Sequence, residues 1–144
     1  KHGRTVHSLL QLLSLYDVKI RLVSPAGLEM PAEYVEKARA KGIDVSLHNN
    51  INDVIGEVDV LYVTRTQKER FANPAEAEAA KGSYVITEKT LTQAKSNMIL
   101  MHPLPRVDEI STDFDSDPRA AYFRQMENGM YVRMAILGLL LGEE

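Results

Sequence analysis

Two polar segments of this sequence each follow a run of aliphatic residues that is typical of a buried strand. Residues 64–70 come after Leu61-Tyr62-Val63, and residues 102–109 come after Ile99-Leu100-Met101. In an open α/β sheet, ligands bind outside the carboxyl ends of the strands. We therefore expect both polar segments to line one cleft.

The first segment offers cationic and amide donors, whereas the second offers carbonyl acceptors. Arg65 and Gln67 stand two residues apart, where a guanidinium fork and an amide can converge on one carboxylate. Pro103 and Pro105 have no backbone N–H, so the stiff turn around Leu104 leaves carbonyl oxygens as acceptors. A cleft with both features suits a ligand that carries a carboxylate and an amine. The sequence therefore predicts an amino-acid site.

Length, charge and composition narrow the class of protein. The 144 residues correspond to one domain, and the net charge of -3, with bases interspersed among acids, argues against a nucleic-acid surface. The absence of cysteine excludes disulfides and thiolate metal sites. The apolar stretch 130–141 is broken by Arg133 and is shorter than the roughly 20 residues that a membrane span needs. We expect a cytoplasmic protein that binds neither nucleic acid nor membrane.

Helical and strand patterns alternate along the chain. The spacing of apolar residues predicts a helix over 5–16, with Thr5 as its N-cap. The other predicted helices are 31–42, 52–55, 74–80 and 90–95, and the predicted strands are 18–23, 45–48, 58–63, 84–86 and 98–101. This alternation indicates an α/β fold with a mostly parallel, Rossmann-like sheet of five strands and helices on both faces. Because no strand precedes the first helix, we expect a first strand to be missing upstream.

The last quarter of the chain predicts two helices with a break between them. Residues 120–128 and 130–141 have helical patterns, and Asn128-Gly129 is the predicted break. The second helix is apolar nearly all round, so we expect it to need more cover than a five-stranded sheet with its own helices supplies. We expect Arg133 to find a carboxylate or carbonyl partner, because an unpaired buried charge is costly.

Three separated motifs, in this order, resemble the aspartate carbamoyltransferase family. They are Gly3-Arg4-Thr5-Val6-His7-Ser8, residues 64–70 and residues 102–109, and the similarity continues through Ala121-Tyr122-Phe123-Arg124-Gln125. The resemblance is stronger to the form fused into the eukaryotic pyrimidine-pathway polyprotein than to the free bacterial subunit. It implies that residues 1–144 are the aspartate-binding domain, of the aspartate/ornithine carbamoyltransferase type, without the carbamoyl phosphate domain. The catalytic unit of that family is a homotrimer.

The resemblance also implies which residues bind L-aspartate. Arg4, with Thr5 beside it, is expected to bind the α-carboxylate, and the backbone donors of a helix N-terminus there suit the same charge. Arg65 and Gln67 are expected to bind the side-chain carboxylate. The alternative for either arginine is a solvated surface group.

The remaining implied residues concern the reaction and the closure of the domains. The backbone carbonyls of Pro103, Leu104 and Pro105 are expected to meet the reacting amine and the carbamoyl group, although a rigid turn alone would explain the same residues. Glu69 and Arg70 are expected to form salt bridges to the missing domain during closure, and a solvated pair is the alternative.

His102 is an obvious candidate for a base, but no partner in the sequence argues for a triad. We expect it to be a structural residue at the end of its strand. The acidic segment 113–117 matches the start of a calcium loop, yet Pro118 and Arg124 occupy positions where that loop needs Gly and Glu. A solvated acidic loop is the expected structure there.

The reaction implied by the resemblance is attack of the aspartate amine on the carbamoyl carbon with loss of phosphate, in de novo pyrimidine biosynthesis. It requires no metal or organic cofactor. An ornithine carbamoyltransferase-like domain is one alternative, but that family has Cys in place of Pro103 and a cationic substrate that Arg65 would repel. A non-catalytic trimerisation, scaffold or amino-acid-sensing module is the other. We expect the isolated chain to be inactive.

Overall fold

The computed structural model describes residues 4–65 and 85–142, which contain four α-helices and four strands that pair in parallel. In chain order they are α1 (Arg4–Leu13), β1 (Lys19–Val23), α2 (Ala32–Ala40), β2 (Asp44–His48), β3 (Val60–Tyr62), α3 (Glu88–Leu91), β4 (Ile99–Met101) and α4 (Tyr122–Leu141). Short 3-10 helices occupy Ile51–Asp53 and Thr112–Ser116. The predicted α/β class with parallel strands is confirmed. The predicted helix at 74–80 and the start of the predicted strand at 84–86 lie outside the described residues.

The first half of the described chain is a parallel strand pair covered by two helices. β1 and β2 pair in register from Lys19 with Asp44 to Val23 with His48. Ile20 and Leu22 alternate along β1 and pack into an apolar cluster below α1 and α2. The buried members of that cluster are Leu10, Met30, Val35, Ala38 and Val45.

The turn between α2 and β2 is closed by Gly42. Its φ of +86° is left-handed, and its N–H donates to the Arg39 carbonyl at 2.9 Å while the Ile43 N–H donates to the Ala38 carbonyl at 3.3 Å. This pair of bonds is a Schellman motif, which satisfies carbonyls that a helix end leaves free. The terminating role predicted for Gly42 is confirmed.

The second half is built around β3 and β4, which pair in parallel from Val60 with Ile99 to Tyr62 with Met101. A second apolar cluster surrounds this pair, and its buried members are Ile55, Ile86, Leu91, Met98, Leu100, Ile110, Phe114, Ala120 and Tyr122. Arg21 on β1 links the two halves: its guanidinium contacts Asp44 Oδ2 at 3.1 Å and Glu57 Oε1 at 2.7 Å.

The prediction of one five-stranded sheet is wrong for the described strands, which form two separate parallel pairs. Ile86 and Ala120 make only single parallel bridges, to Ile110 and Leu100 respectively. In both cases a helix follows at once, because Thr87 caps α3 and Ala121 precedes α4. These helices leave no room for a longer strand.

Two predicted helix starts also need correction. The helix predicted at 90–95 is instead α3, because Thr87 and Thr90 form a capping box in front of it. Thr5 is not the N-cap of α1: the helix begins at Arg4, so Thr5 already has helical geometry, and its carbonyl accepts a bond from Ser8 Oγ at 3.1 Å. A capping residue lies outside the helical turn.

The predicted break at Asn128-Gly129 is wrong, because α4 runs without interruption from Tyr122 to Leu141. A single helical glycine costs only about 1 kcal/mol relative to alanine, which the neighbouring turns of a long helix can offset. Within the described residues, Arg133 does not have the carboxylate or carbonyl partner that was expected. It is exposed, and its Nη1 lies 3.1 Å from where a Cβ on Gly129 would be.

Much of α4 presents apolar side chains that the described residues do not cover. Met134, Leu137, Leu139, Leu140 and Leu141 are each more than half exposed, with Leu139 at 86%. The expectation that this helix needs further cover is confirmed. None of the helices in the described ranges is both long and apolar enough to cross a bilayer.

Candidate functional site

The two polar segments singled out in the sequence leave the sheet at the same edge. The Val63 N–H donates to the Met101 carbonyl at 2.9 Å, which extends the β3–β4 ladder by one step. Arg65 is the third residue after β3, and Leu104 is the third residue after β4. The register therefore confirms that the two segments start side by side. Gln67, Glu69 and Arg70 lie outside the described residues.

The three residues Pro103, Leu104 and Pro105 form an accessible turn at this edge. Both prolines are exposed and Leu104 is half-buried. Leu104 has a left-handed φ of +51°, and the peptide bond to Pro105 is cis. A left-handed conformation costs a residue other than glycine about 1–2 kcal/mol. Among the described residues, no group donates a hydrogen bond to the three carbonyl oxygens of this turn.

His102 anchors the start of the turn and is almost completely buried, with 2% of its surface exposed. Its Nδ1 accepts the Leu104 N–H at 2.8 Å, and its Nε2 lies 2.7 Å from Glu109 Oε1. Both ring nitrogens are therefore occupied. This arrangement supports the structural role expected for His102 and leaves no free ring nitrogen for a solvent-facing base.

Glu109 closes the other end of the same turn. One carboxylate oxygen contacts His102, and the other accepts the N–H groups of Val107 and Asp108, both at 3.1 Å. Burial alone would raise the pKa of Glu109. Hydrogen bonds from the backbone N–H groups of Glu109 and Val107 and from His102 outweigh the effect of burial, so the pKa of Glu109 lies below its usual range. Glu109 is thus an anion at neutral pH.

The hydrogen bonds of His102 also determine which ring nitrogen carries the proton. Because Nδ1 accepts a backbone N–H, the ring proton resides on Nε2, which donates to Glu109. Burial lowers the pKa of His102 and outweighs the opposite effect of Glu109, while Arg106 lowers it further. The imidazole is therefore neutral at physiological pH, although it touches a carboxylate.

A second polar cluster lies below the turn. The Asp115 carboxylate accepts hydrogen bonds from both terminal guanidinium nitrogens of Arg106, and Nη2 lies at 2.5 Å. It also accepts a hydrogen bond from the Tyr122 hydroxyl at 2.5 Å. Tyr122 is fully buried, and burial together with Asp115 raises the pKa of Tyr122 to about 12. Arg106 holds the pKa of Asp115 below its usual range. The segment after Pro105 is thereby fixed to the first residue of α4.

The carboxylates of the acidic segment have protein partners. Asp115 pairs with Arg106, and Asp117 pairs with Arg119 through Oδ2 at 2.9 Å. These ion pairs agree with the rejection of a calcium loop. Among the described residues, no group of three or more histidine, aspartate or glutamate side chains is placed to hold a metal ion.

Gln125 connects the ends of both strands to α4. Its Oε1 accepts the backbone N–H of His102 at 2.9 Å. Burial raises the pKa of Tyr62 at the end of β3, and a hydrogen bond with the Gln125 side chain partly offsets that rise. Gln125 therefore ties the start of α4 to the edge of the sheet through both strand ends.

The other arginine predicted to bind a carboxylate is on a different layer. Arg4 is the first residue of α1, Thr5 is exposed on its first turn, and α1 packs against α2. The helix start that would offer backbone donors is present, one residue earlier than expected. The contact of Arg4 and Thr5 with an α-carboxylate stays a prediction.

Glu109, Gln125 and the Arg106–Asp115–Tyr122 cluster were not identified from the sequence as parts of the site. Glu109 stands seven residues after His102 in the same motif, and an acid directly before the apolar Ile110 was the available signal. Asp115 was considered only as a calcium ligand. Tyr122 and Gln125 come from α4, and no spacing rule connects that helix to the turn.

Chemically, this edge of the sheet combines a cation with carbonyl oxygens that accept no hydrogen bond from the described residues. Arg65 is exposed on one strand end, and the carbonyls of the Pro103–Pro105 turn are on the neighbouring one. A guanidinium can hold a carboxylate, and carbonyls can accept N–H groups of an amine. The arrangement suits recognition and orientation of an amino acid, and it offers no activated nucleophile among the described residues.

Comparison with known proteins gives a consistent result over nearly the whole chain. A protein-family model described as aspartate/ornithine carbamoyltransferase, Asp/Orn binding domain, matches residues 1–140. The multifunctional protein pyr1-3 of Dictyostelium discoideum is 58% identical over 142 residues, which are 99% of this chain and 6% of that protein.

Two further relatives are named as parts of aspartate carbamoyltransferases. The aspartate carbamoyltransferase catalytic subunit of Methanopyrus kandleri is 48% identical over 143 residues, which are 99% of this chain and 46% of that subunit. The solved structure of the catalytic subunit of M. jannaschii aspartate transcarbamoylase is 48% identical with a TM-score of 0.87, covering 97% of this chain and 46% of that one. The chain spans less than half the length of these relatives.

Proposed function

Because this chain belongs to the aspartate/ornithine carbamoyltransferase family, we propose that it is the aspartate-binding domain of an aspartate carbamoyltransferase. The observation that carries the proposal is the shared strand edge, from which the segment with Arg65 and the acceptor turn Pro103–Pro105 both start. Two relatives whose names specify aspartate, from Methanopyrus kandleri and M. jannaschii, are each 48% identical to it. In the complete enzyme, the amine of L-aspartate attacks the carbamoyl carbon of carbamoyl phosphate and phosphate leaves.

The proposed roles divide the substrate between the two strand ends and α1. Arg65, with Gln67, binds the side-chain carboxylate of aspartate, and Arg4, with Thr5, binds the α-carboxylate. The carbonyls of the acceptor turn take the N–H groups of the amine. Since the amine must attack as a neutral nitrogen, acceptors on its N–H groups aim the lone pair at the carbamoyl carbon. Catalysis of this kind depends on orientation and electrostatics rather than on a covalent nucleophile.

The proposal extends to parts of the enzyme that are not in these 144 residues. Carbamoyl phosphate is bound by another domain, and Glu69 and Arg70 form the salt bridges that hold the two domains closed. The working enzyme is a cytoplasmic homotrimer in pyrimidine biosynthesis, and it uses no metal or organic cofactor. The matched part of the family is the amino-acid-binding domain alone, which supports this division of labour.

Inhibition of a complete enzyme that contains this domain tests the choice of amino acid. Succinate keeps the two carboxylates of aspartate without the amine, whereas ornithine carries an ammonium in place of the second carboxylate. We expect succinate to compete with aspartate and ornithine not to compete, because Arg65 attracts one and repels the other. Competition by ornithine without competition by succinate would favour the ornithine-specific branch. Absence of carbamoyl transfer to either amino acid would favour a non-catalytic module.

A further inference from the structure

The backbone donors of the turn after β4 are engaged from within by two buried side chains. His102 Nδ1 accepts the Leu104 N–H at 2.8 Å, and Glu109 Oε2 accepts the N–H groups of Val107 and Asp108 at 3.1 Å. The two prolines of the turn have no N–H to offer. The polar groups of residues 103–105 that remain for a ligand are therefore carbonyl oxygens.

Leu104 holds an unfavourable backbone conformation that one hydrogen bond offsets. Its φ of +51° lies in the left-handed region, which a leucine rarely adopts. The contact that constrains its N–H is the one with His102 Nδ1. Strained backbone of this kind persists only where the surroundings over-determine it, and it concentrates at ligand sites.

We propose that His102 is a positioning residue, which fixes the carbonyl oxygens of the acceptor turn by holding the Leu104 N–H on Nδ1. The inference rests on the proposed function, because those carbonyls are taken to meet the reacting amine. His102 itself touches no substrate. It acts through the backbone of Leu104, and Glu109 keeps it in the required tautomer by accepting a hydrogen bond from Nε2–H.

This chain of contacts sets a requirement that a purely space-filling histidine would not have. Nδ1 must be an unprotonated acceptor, and the groups that face the ring are Glu109 at Nε2 and the Arg106 charge nearby. The carboxylate fixes the proton on Nε2, and burial lowers the pKa of His102 so that Nδ1 stays free of a proton. Orientation of Leu104 and protonation of His102 are thereby coupled.

Two amide substitutions at His102, made in a complete enzyme that contains this domain, separate the contribution of Nδ1 from that of Nε2. Asparagine places a carbonyl oxygen near the position of Nδ1, whereas glutamine places an amide nitrogen near the position of Nε2. His102→Asn therefore keeps the acceptor for Leu104 and loses the donor to Glu109, and His102→Gln does the reverse. His48→Asn and His48→Gln are the matched controls. His48 is not part of the turn, and its Nε2 lies 2.8 Å from Ser46 Oγ.

We expect His102→Asn to keep kcat within about threefold of the unsubstituted enzyme and His102→Gln to lose about tenfold or more. The KM for aspartate should change little in either variant, because the arginines that bind the carboxylates are untouched. Both His48 variants should keep kcat. If His102→Gln is as active as His102→Asn, or more active, the positioning role is wrong, since a structural residue would depend on the contact with Glu109.

The nitrogen-15 NMR spectrum of the His102 ring provides a test that needs no turnover. We expect a protonated Nε2 and an unprotonated Nδ1 between about pH 7 and pH 8. A protonated Nδ1 would overturn the inference even in a fully active enzyme. Conversely, if the enzyme transfers no carbamoyl group while the tautomer is as expected, the proposed function fails and the geometry of the turn stands.

Discussion

At the scale of single residues, the proposed site depends on the contrast between one exposed cation and one acceptor turn. Arg65 is accessible at the end of β3, and the turn after β4 starts beside it. Each charge-assisted hydrogen bond contributes about 1.5–3 kcal/mol, and a guanidinium can form two with one carboxylate. Under the proposed function, the bonds between Arg65 and the side-chain carboxylate thus provide the binding energy that distinguishes aspartate from other amino acids.

Replacement of Arg65 by alanine measures that contribution. In a complete enzyme that contains this domain, we expect Arg65→Ala to raise the KM for aspartate about a hundredfold or more, because both bonds of the fork are lost. The KM for carbamoyl phosphate should stay within about threefold. Arg65→Lys is the matched control, since it keeps the charge without the fork and should lie between the two. Unchanged aspartate kinetics in Arg65→Ala would remove Arg65 from the site.

The proton state of His102 predicts a pH dependence of stability. Burial lowers the pKa of folded His102 below its usual 6.5, so below that pH the unfolded chain binds more protons than the folded one. The stability that His102 contributes is therefore complete above about pH 6.5 and is lost as the pH falls toward its folded pKa. The difference between the thermal midpoints of the unsubstituted protein and of His102→Asn should therefore become smaller as the pH is lowered from 7.5 to 5.

Other titratable groups do not account for this change in the difference between the two thermal midpoints. The other three histidines, His2, His7 and His48, are present in both proteins, so they do not distinguish the two thermal midpoints. Glu109 and Asp115 have pKa values below their usual ranges, so the stability they contribute is lost only at lower pH than the range used. A difference that grows as the pH falls would mean that His102 is protonated in the folded protein.

At the scale of elements, helix ends control how the chain is laid out. Gly42 ends α2 with a left-handed φ of +86°, although a Cβ there would meet no atom within 4 Å. Gly138 lies within α4, also with open space around its Cβ position. The two glycines therefore separate the effect of backbone conformation from that of packing.

Alanine at these two positions should change stability in opposite directions. Gly42→Ala should lower the free energy of unfolding by about 1–2 kcal/mol, because alanine resists the left-handed region. Gly138→Ala should raise it by up to about 1 kcal/mol, because alanine is the better helix former. Chemical unfolding of both variants measures the two changes. The same sign at both sites would show that side-chain contacts, and not backbone conformation, decide the outcome.

Elements with a local signal were predictable from the sequence, and elements that depend on distant contacts were not. Gly42 was recognised as a helix end because left-handed termination has a local signature. The break at Asn128-Gly129 was wrong, because the cost of one glycine is small compared with the continuity of a 20-residue helix. The shared edge of β3 and β4 followed from parallel strand order, whereas Gln125 came from a helix that no spacing rule places there.

At the scale of the whole molecule, the described residues form two small cores with an incompletely covered helix attached. α4 begins against β4 and contributes the buried Tyr122 to the second core. Further along, the side chains of Met134, Leu137 and Leu140 are each more than half exposed. An apolar surface of this extent is characteristic of an interaction site.

Under the proposed function, the isolated 144-residue chain should show no carbamoyl transfer. The matching part of the family is the amino-acid-binding domain, so the groups that bind carbamoyl phosphate are supplied from elsewhere in the enzyme. Binding energy divided between two domains cannot be recovered from one, and free aspartate should bind weakly. Assays with saturating carbamoyl phosphate and aspartate test this expectation. Measurable turnover by the purified chain would show that these residues contain a complete active site.

The exposed face of α4 should also make the isolated chain bind a hydrophobic dye and associate with itself. Burial of apolar surface contributes about 25 cal/mol per Å², so side chains such as Leu137 and Leu140 favour contact over exposure to water. Leu137→Glu with Leu140→Glu should reduce both dye fluorescence and the sedimentation coefficient. Leu15→Glu, at a residue 69% exposed after α1, is the matched control and should change neither. A strictly monomeric chain that binds no dye would mean that α4 is covered in solution by residues outside the described ranges.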